Sequence, residues 1–242
     1  MKTFYLLPAF ALLSLFSKGQ NYPGEPMFVP YDPVFMTYNV SDLFNNYQHH
    51  VQKVLGKDNS IQGSPYVFDD FTPGIIYSKK EKAAFHLDLN INAFTNQFEF
   101  IHEEVVFSMP NFAFDSVVIN HMRFIPVSIV EEDKVKIFSM QVLASDTLGN
   151  YLLKKHITGF IDKKQAGPYQ QAVPAHFKKF PPGYFIYTSK NELIPLEKLN
   201  SLERFVYIPD DLNSFIKKNK IKKRDEDDLK VLFKHIFPGA VI

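Results

Sequence analysis

Residues 63–109 have the sequence GSPYVFDDFTPGIIYSKKEKAAFHLDLNINAFTNQFEFIHEEVVFSM, and this stretch decides the fold. At its centre, from residue 85 to residue 92, apolar and polar side chains alternate strictly. A period of two is typical of a strand that buries one face and presents the other to solvent. Residues 93–96 then predict a turn, and Phe98 and Phe100 resume the apolar face. The stretch therefore predicts an antiparallel hairpin as the nucleus of a β-sheet.

Further strand patterns follow this hairpin along the chain. They lie at residues 105–109, 116–120, 123–129, 135–143 and 151–157. Strands this frequent, with short connections and no long helix between them, predict a mainly antiparallel sheet that curls into a sandwich or barrel-like body. The chain contains no GxGxxG and no GxxxxGK[ST] motif, which argues against a doubly wound nucleotide-binding fold.

Helical patterns are predicted both before and after the strands in the sequence. Ser41 is placed as an N-cap, and apolar residues follow it at helical spacing as far as Gly56. Near the C-terminus, after a hairpin predicted over residues 184–196, short helices are predicted at 197–205, from 209 onward and at 225–236. The predicted fold class is therefore α+β, with an N-terminal helix, an antiparallel body and a small C-terminal helical region.

Four segments are predicted along the chain. Residues 1–19 combine a basic start, a short apolar run and small residues before a cut, which is typical of a signal peptide. Residues 20–40 form an extended proline-rich lead-in. The helix and the β-rich body occupy residues 41–183, and the hairpin with the helical region occupies 184–242. The last of the three boundaries follows the proline-rich stretch that ends at Pro181-Pro182-Gly183.

Composition excludes several classes of protein. The chain has 27 basic and 26 acidic residues, and removal of residues 1–19 takes away Lys2 and Lys18, so the remainder is close to neutral. This balance argues against a general nucleic-acid binder. No later stretch reaches 18 uninterrupted apolar residues, so at most a peripheral membrane contact is predicted. The absence of cysteine excludes thiol nucleophiles, thiolate zinc sites and iron–sulfur clusters.

Catalytic candidates are few. No histidine stands in HExxH spacing, and the adjacent His49 and His50 point about 100° apart on a helix, so neither a metal site nor a cofactor is predicted. His86 and Asp88 share one strand face, where a carboxylate could orient an imidazole. The alternative is a solvent-facing polar row. No GxSxG elbow is present.

Two stretches supply candidate binding residues. Residues 217–224 hold six basic side chains, among them Lys217, Lys218 and Lys222, which could contact an anionic lipid or polysaccharide. The structural alternative is that these lysines end one helix and the acids after them begin the next, as the helix dipole favours. Ser64 and Tyr66 of the GSPY stretch suit a binding loop or, equally, a turn that enters a strand.

A resemblance to a family is carried by specific motifs. They are Gly63-Ser64-Pro65-Tyr66, Asp70-Phe71, Pro73-Gly74, residues 89–92 and 97–100, and the tail motifs at 215–220 and 226–230. These residues resemble a group of uncharacterised exported proteins from Bacteroidota-type bacteria, over much of residues 60–235. The resemblance implies an exported, envelope-associated protein and brings no activity. Ser116 and Thr147 stand in Asp-Ser/Thr-apolar triplets similar to the O-glycosylation acceptor of such bacteria.

Two functions follow as hypotheses. The first is a non-enzymatic binding or structural component of the bacterial cell envelope, in the periplasm or at the cell surface, whose partner is an envelope protein or a glycan. The alternative is a hydrolase acting on an envelope polymer or glycan, with His86, Asp88 or an acidic pair such as Asp69-Asp70 in its site. A concave cleft that gathers a histidine and carboxylates with shifted pKa would favour the hydrolase.

Overall fold

The structure is a computed structural model. It describes residues 61–79, 82–131, 134–166, 171–197, 202 and 209–242, and the backbone of residues 36–38 and 52–53. Within these residues twelve strands form one sheet. The strands are β1 (Met36–Tyr38), β2 (Gln52–Lys53), β3 (Thr72–Ser78), β4 (Ala83–Asn92), β5 (Gln97–His102), β6 (Val105–Met109), β7 (Ser116–Ile119), β8 (Met122–Glu131), β9 (Lys134–Ser145), β10 (Tyr151–Ile161), β11 (His176–Tyr187) and β12 (Leu193–Pro195). The helices are α1 (Leu212–Asn219), α2 (Glu226–Ile236) and a short 3-10 helix, Asn111–Ala113.

The strand order is β12-β11-β10-β9-β8-β7-β3-β4-β5-β6-β2, and β1 pairs in parallel with β4. The other described pairs, from β2·β6 to β11·β12, are antiparallel. The sheet curls into a half-barrel. The prediction of a mainly antiparallel curled body with helices late in the chain is therefore confirmed, and the nucleating hairpin is β4–β5, joined by the predicted turn at residues 93–96.

The predicted N-terminal helix is not supported. Most of residues 41–56 lie outside the described residues, but Gln52 and Lys53 are described and pair as β2 with Ser108 and Phe107 of β6. Pairing with the edge of a sheet has overridden the local helical pattern there, as tertiary context often does. The predicted signal peptide and most of the lead-in, residues 1–35, also lie outside the described residues, as does most of the helix predicted at 197–205.

The proline-rich stretch at the predicted boundary lies inside a strand. β11 pairs with β10 on both sides of Pro181-Pro182, so the boundary after Gly183 falls within continuous sheet. The prolines are tolerated because β12 covers only residues 185–187 of β11, which leaves its other edge open at residues 181–182. The register shifts here, so that His156 of β10 faces both prolines in a β-bulge.

Both faces of the sheet carry buried apolar clusters, and we call the face with the two larger clusters the inner face. The smaller cluster, Ile125, Val127, Met140 and Leu153, lies on the outer face. On the inner face, Phe85, Ile76, Val117 and Phe124 stand directly opposite one another across β4, β3, β7 and β8. Each is at most 1% exposed. At the β12 end of the sheet, α1 and α2 cover the inner face of β9–β12. There Leu229, Leu232 and Phe233 of α2 pack in a second buried cluster with sheet residues such as Leu152 and Ile186.

Residues 62–67 cross from β11 to β4, and we call this segment the clasp. Gln62 exchanges backbone hydrogen bonds with β11: its N–H donates to Ala175 and its carbonyl accepts from Phe177, both at 2.9 Å. Five residues later the N–H of Val67 donates to the carbonyl of Ile91 on β4 at 2.9 Å. The clasp therefore joins two strands that are separated by five others in the sheet.

Gly63 permits this crossing. Its φ is +75°, and an added Cβ would lie 2.8 Å from the carbonyl oxygen of Phe177. Only glycine combines this backbone conformation with so close an approach.

Candidate functional site

One row of side chains crosses the inner face of seven strands and changes from apolar to polar after the fourth strand. The register places seven residues opposite their neighbours in turn: Phe85, Ile76, Val117, Phe124, Gln141, Lys154 and Tyr184. The first four are apolar and the last three are polar. The inner face is therefore apolar on β4, β3, β7 and β8 and polar where the row crosses β9, β10 and β11.

Glu226 completes the polar half of this row. It is the first residue of α2, and its Oε1 lies 2.6 Å from the Nζ of Lys154. The hydroxyl of Tyr184 donates to the same oxygen at 3.1 Å. The side chains of Lys154 and Glu226 are 18% and 34% exposed, so the ion pair is sheltered and still reachable from solvent.

The charges in this group shift two pKa values. Burial acts to raise the pKa of Glu226, but the hydrogen bond and charge of Lys154, aided by Tyr184, outweigh it and hold that pKa below its ordinary value. Burial, followed by the Glu226 charge, raises the pKa of Tyr184 to about 12. At neutral pH the group therefore comprises an ammonium, a carboxylate and a protonated phenol.

His156 extends the group along β10, two residues beyond Lys154. Its Nε2 lies 2.8 Å from the Oε1 of Gln141, and its ring centroid is 6.2 Å from that of Phe124. A carbonyl oxygen can only accept, so Nε2 carries the proton and Nδ1 is left as an acceptor. The bulge opposite His156 is a feature that often re-aims a side chain at functional sites. We call Gln141, Lys154, His156, Tyr184 and Glu226 the polar cluster.

His156 gives the stability of the protein a specific pH dependence. Burial, then the charge of Lys154, lowers its pKa from 6.5 to about 4, against an opposing effect of Glu226. Between these two values the unfolded chain binds more protons than the folded chain. His156 therefore does not reduce the free energy of unfolding above pH 6.5. As the pH falls from 6.5 towards 4, protonation of this residue in the unfolded chain lowers the free energy of unfolding.

We expect the difference in free energy of unfolding between wild type and His156→Gln to change by about 1–3 kcal/mol between pH 7 and pH 4.5. Urea unfolding at a series of pH values measures it. Other titrating groups are common to both chains and cancel in the difference. Parallel curves for the two proteins would show that His156 is not held neutral by its surroundings.

The polar cluster can bind a neutral polar molecule. Its ammonium and carboxylate already neutralise each other, while the amide and the imidazole both donate and accept hydrogen bonds. The sequence did not single out any of its five members. The one available signal was the run of polar residues at 154–156 in the strand predicted at 151–157, because the partners come from distant parts of the chain.

The structure places the predicted catalytic pair elsewhere. His86 and Asp88 lie on β4 on the face opposite Phe85 and Leu87, and both are exposed. They share a strand face, as predicted, but it is the outer face of the sheet and not the one that carries the polar cluster. Asn90 and Asn92 continue this face and are buried, at 0% and 8% exposure.

Ser64 and Tyr66 both belong to the clasp. The Oγ of Ser64 accepts from the backbone N–H of Tyr66 at 3.2 Å, a local turn contact. The Tyr66 hydroxyl donates to Oε2 of the buried Glu99 at 2.5 Å, and Asn92 donates to the other oxygen at 2.8 Å. Burial, then the bond to Glu99, raises the pKa of Tyr66. The Tyr66 contact holds the clasp on the sheet, and the Ser64 contact fixes a turn within the clasp.

Lys217, Lys218 and Lys222 lie on the exposed side of the helical region. The first two occupy the last turn of α1, where the helix dipole favours positive charge. Lys222 lies between the helices, and its backbone N–H donates to the carboxylate of Asp228 at 2.9 Å. Asp225 caps α2 by accepting from the N–H groups of Asp227 and Asp228. The arrangement agrees with the helix-dipole alternative.

The two triplets with a hydroxyl acceptor differ in accessibility. Ser116 is half-buried in β7 and pairs with Tyr77 of β3. Thr147 is exposed in the β9–β10 turn, where Asp146 accepts from the N–H groups of Leu148 and Asn150. Only Thr147 stands outside regular strand structure.

Comparisons of this chain with protein-family models, with curated proteins and with solved structures find no match. The resemblance to exported proteins of Bacteroidota-type bacteria therefore stays a prediction. Among the described residues no three histidine or acidic side chains are grouped so as to hold a metal ion. No helix in the same part of the chain is long and apolar enough to cross a membrane.

Proposed function

We propose that this protein is an exported, non-enzymatic binding component of the bacterial cell envelope, and that its polar cluster binds a glycan. The observation that carries the proposal is the change in the cross-strand row, from Phe124 on β8 to Gln141, Lys154 and Tyr184 on the next three strands. Polar side chains on the core face of a sheet are unfavourable unless they are paired, and here Lys154 pairs with Glu226 and Gln141 with His156. We take this paired group, which stays partly open to solvent at Lys154 and Glu226, as the binding surface.

The chemistry of the polar cluster favours sugar hydroxyl groups as its ligands. A hydroxyl both donates and accepts, and so it matches the Gln141 amide, the Nδ1 acceptor of His156 and the carboxylate of Glu226. The Phe124 ring lies 6.2 Å from the His156 ring and is 1% exposed, so it backs the imidazole from within the core. Ligand sites commonly place a few fixed polar groups against apolar surroundings.

Export and location are supported by the sequence. The basic start, the apolar run and the small residues of segment 1–19 are typical of a signal peptide. The resemblance to exported proteins of Bacteroidota-type bacteria supports the same location, in the periplasm or at the cell surface. An envelope protein is the other class of partner that this location offers.

A hydrolase acting on an envelope polymer is the second candidate, and one observation favours it. Lys154 acts on the pKa of both His156 and Glu226, so a histidine and a carboxylate with shifted pKa belong to one group of charges on the inner face. Binding remains the better proposal because a base with a pKa of about 4 is weak at neutral pH, and Glu226 is already paired with Lys154.

Calorimetric titration of residues 20–242 with oligosaccharides released from a Bacteroidota-type envelope tests the proposal. We expect His156→Ala to weaken binding about tenfold or more, equivalent to about 1.4 kcal/mol. The matched control is His86→Ala, a histidine on the outer face, which should leave the affinity unchanged. Thermal unfolding confirms that both variants are folded.

Two results would count against glycan binding at this site. One is the absence of binding by any oligosaccharide in the panel, and the other is an equal effect of the two histidine substitutions. Mass spectrometry of the same mixtures separates the two candidates. Shortened oligosaccharides that disappear with Glu226→Gln would favour the hydrolase.

A further inference from the structure

Strands β10 and β11 extend beyond the rest of their sheet as a two-stranded ribbon. β9 pairs with β10 only as far as Gln141 and Lys154, whereas β10 and β11 remain paired out to Ile161 and His176. We call residues 157–161 and 176–180, with the adjoining described segments 162–166 and 171–175, the ribbon. None of these residues belongs to the buried cluster that α1 and α2 form with the other end of the sheet.

The ribbon exposes large apolar side chains on both faces. On the outer face Ile157 and Phe180 stand opposite each other and are 37% and 43% exposed. The Phe180 ring lies across Gly159, where an added Cβ would be 2.6 Å from Cε2. On the inner face Phe160 stands opposite Phe177 and is 36% exposed.

Phe94, from the turn of the nucleating hairpin, completes an aromatic surface with the inner face. Its ring is 51% exposed and lies 6.4 Å from Phe160 and 5.6 Å from Phe177, which are 5.3 Å apart. Single exposed apolar residues are common, but an exposed cluster of large ones marks an interaction surface.

Positive charge surrounds these rings. The described residues of the ribbon include four lysines and one acid, Asp162, which gives a formal charge of +3 with histidine neutral. The lysines are exposed and lie at positions 163, 164, 178 and 179. The Nζ of Lys178 lies 5.6 Å from the centre of the Phe180 ring, so charge and aromatic surface are adjacent.

We propose that the ribbon docks on a membrane surface that contains anionic lipid. Aromatic and aliphatic side chains enter the interfacial region of a bilayer, while the long lysine side chains hold their charges among the headgroups. Each lysine near an anionic surface strengthens attachment by about fivefold. The combination of exposed phenylalanines with a net positive charge is complementary to such a surface.

The basic run at Lys217–Arg224 is a poorer match to the same surface. Its positive charge is followed at once by residues 225–228, all acidic. The apolar side chains of α1, including Leu212, Phe215 and Ile216, pack against the core, so they are directed away from solvent. The ribbon, and not this run, therefore joins charge to exposed apolar surface. The proposal does not depend on glycan binding by the polar cluster.

Vesicle co-sedimentation at low salt tests the proposal, with residues 20–242 and phosphatidylcholine vesicles that contain or lack phosphatidylglycerol. We expect binding only to the anionic vesicles, weakened by salt. Phe94→Ser/Phe160→Ser should reduce the binding constant at least about tenfold, and Lys163→Gln/Lys178→Gln about 25-fold. Lys217→Gln/Lys218→Gln removes the same charge elsewhere and should have little effect.

A fluorescence measurement tests the proposal independently of whether the serine variant folds. The chain contains no tryptophan, so Phe160→Trp introduces a single probe into the ribbon. Its emission should shift to the blue and be quenched by brominated lipid when anionic vesicles are added. Undetectable vesicle binding, equal weakening by the Lys217/Lys218 control, or an unshifted tryptophan would overturn the proposal. So would retention of an envelope protein, instead of vesicles, through Phe94 and Phe160.

Discussion

Replacing Phe98 with alanine is expected to lower the free energy of unfolding by about 3–5 kcal/mol. Phe98 is 0% exposed, and its ring meets those of Phe114 and Phe124 edge-on at 5.2 and 5.8 Å. These neighbours belong to separate segments of the chain, so they cannot close together over the cavity that alanine leaves. Since small proteins are stable by only about 5–15 kcal/mol, this single change removes a large part of the total.

Urea unfolding followed by circular dichroism measures this loss. The control is Phe112→Ala, the same substitution at a ring that is 62% exposed, where we expect a change of at most about 0.5 kcal/mol. A loss for Phe98→Ala as small as that of the control would mean that the hairpin β4–β5 does not carry the core.

Replacing Asn90 with alanine is expected to lower the free energy of unfolding by about 2–3 kcal/mol, although it removes a polar residue. Asn90 is 0% exposed, and its Nδ2 donates to the carbonyls of Phe68 and Asp70 at 3.0 Å each. Its Oδ1 accepts from the N–H of Phe68 at 3.3 Å. Alanine would leave these backbone groups without their side-chain partner, and the segment that follows the clasp would lose its attachment to β4.

Limited proteolysis provides a second measurement for Asn90→Ala, because the clasp and residues 68–71 should be cleaved faster in the variant. Asp88→Ala is the matched control, since it lies two residues earlier on the same face and is exposed. Equal stability and equal cleavage rates in the two variants would contradict the role assigned to Asn90.

Local pattern was sufficient to predict the strands from β4 to β10. The alternation from Phe85 to Asn92 correctly separates the two faces of β4, because the period of two is a property of the backbone itself. The same pattern led to Asn90 and Asn92 being placed in solvent. Asn90 is bonded to Phe68 and Asp70, and Asn92 shares the Glu99 carboxylate with Tyr66 of the clasp. Phe68, Asp70 and Tyr66 lie twenty or more residues earlier in the chain, and no local pattern encodes such contacts.

The polar cluster could not be predicted for a related reason. Lys154 and Glu226 are 72 residues apart in sequence, and Gln141 reaches His156 only through the register of β9 and β10. The bulge that faces His156 arises at Pro181-Pro182, a stretch that sequence reasoning took for a boundary. Proline limits the local conformation but does not reveal which strand lies beside it.

Even for tight turns, the local sequence gives an incomplete signal. Glu103-Glu104 joins β5 to β6 and Asn120-His121 joins β7 to β8, and all four residues have positive φ. Two-residue turns of this kind usually contain glycine or asparagine, so the Glu-Glu pair gives no sequence signal for one.

The most direct test of the central claim, that the polar cluster is a binding surface, is NMR of imidazole nitrogens in residues 20–242 labelled with ¹⁵N-histidine. The envelope oligosaccharides are titrated in, and the signals are assigned with His156→Ala and His86→Ala. The account predicts that the His156 resonances shift progressively and saturate while those of His86 stay in place. Saturable binding that moves His86 and leaves His156 unchanged would contradict it.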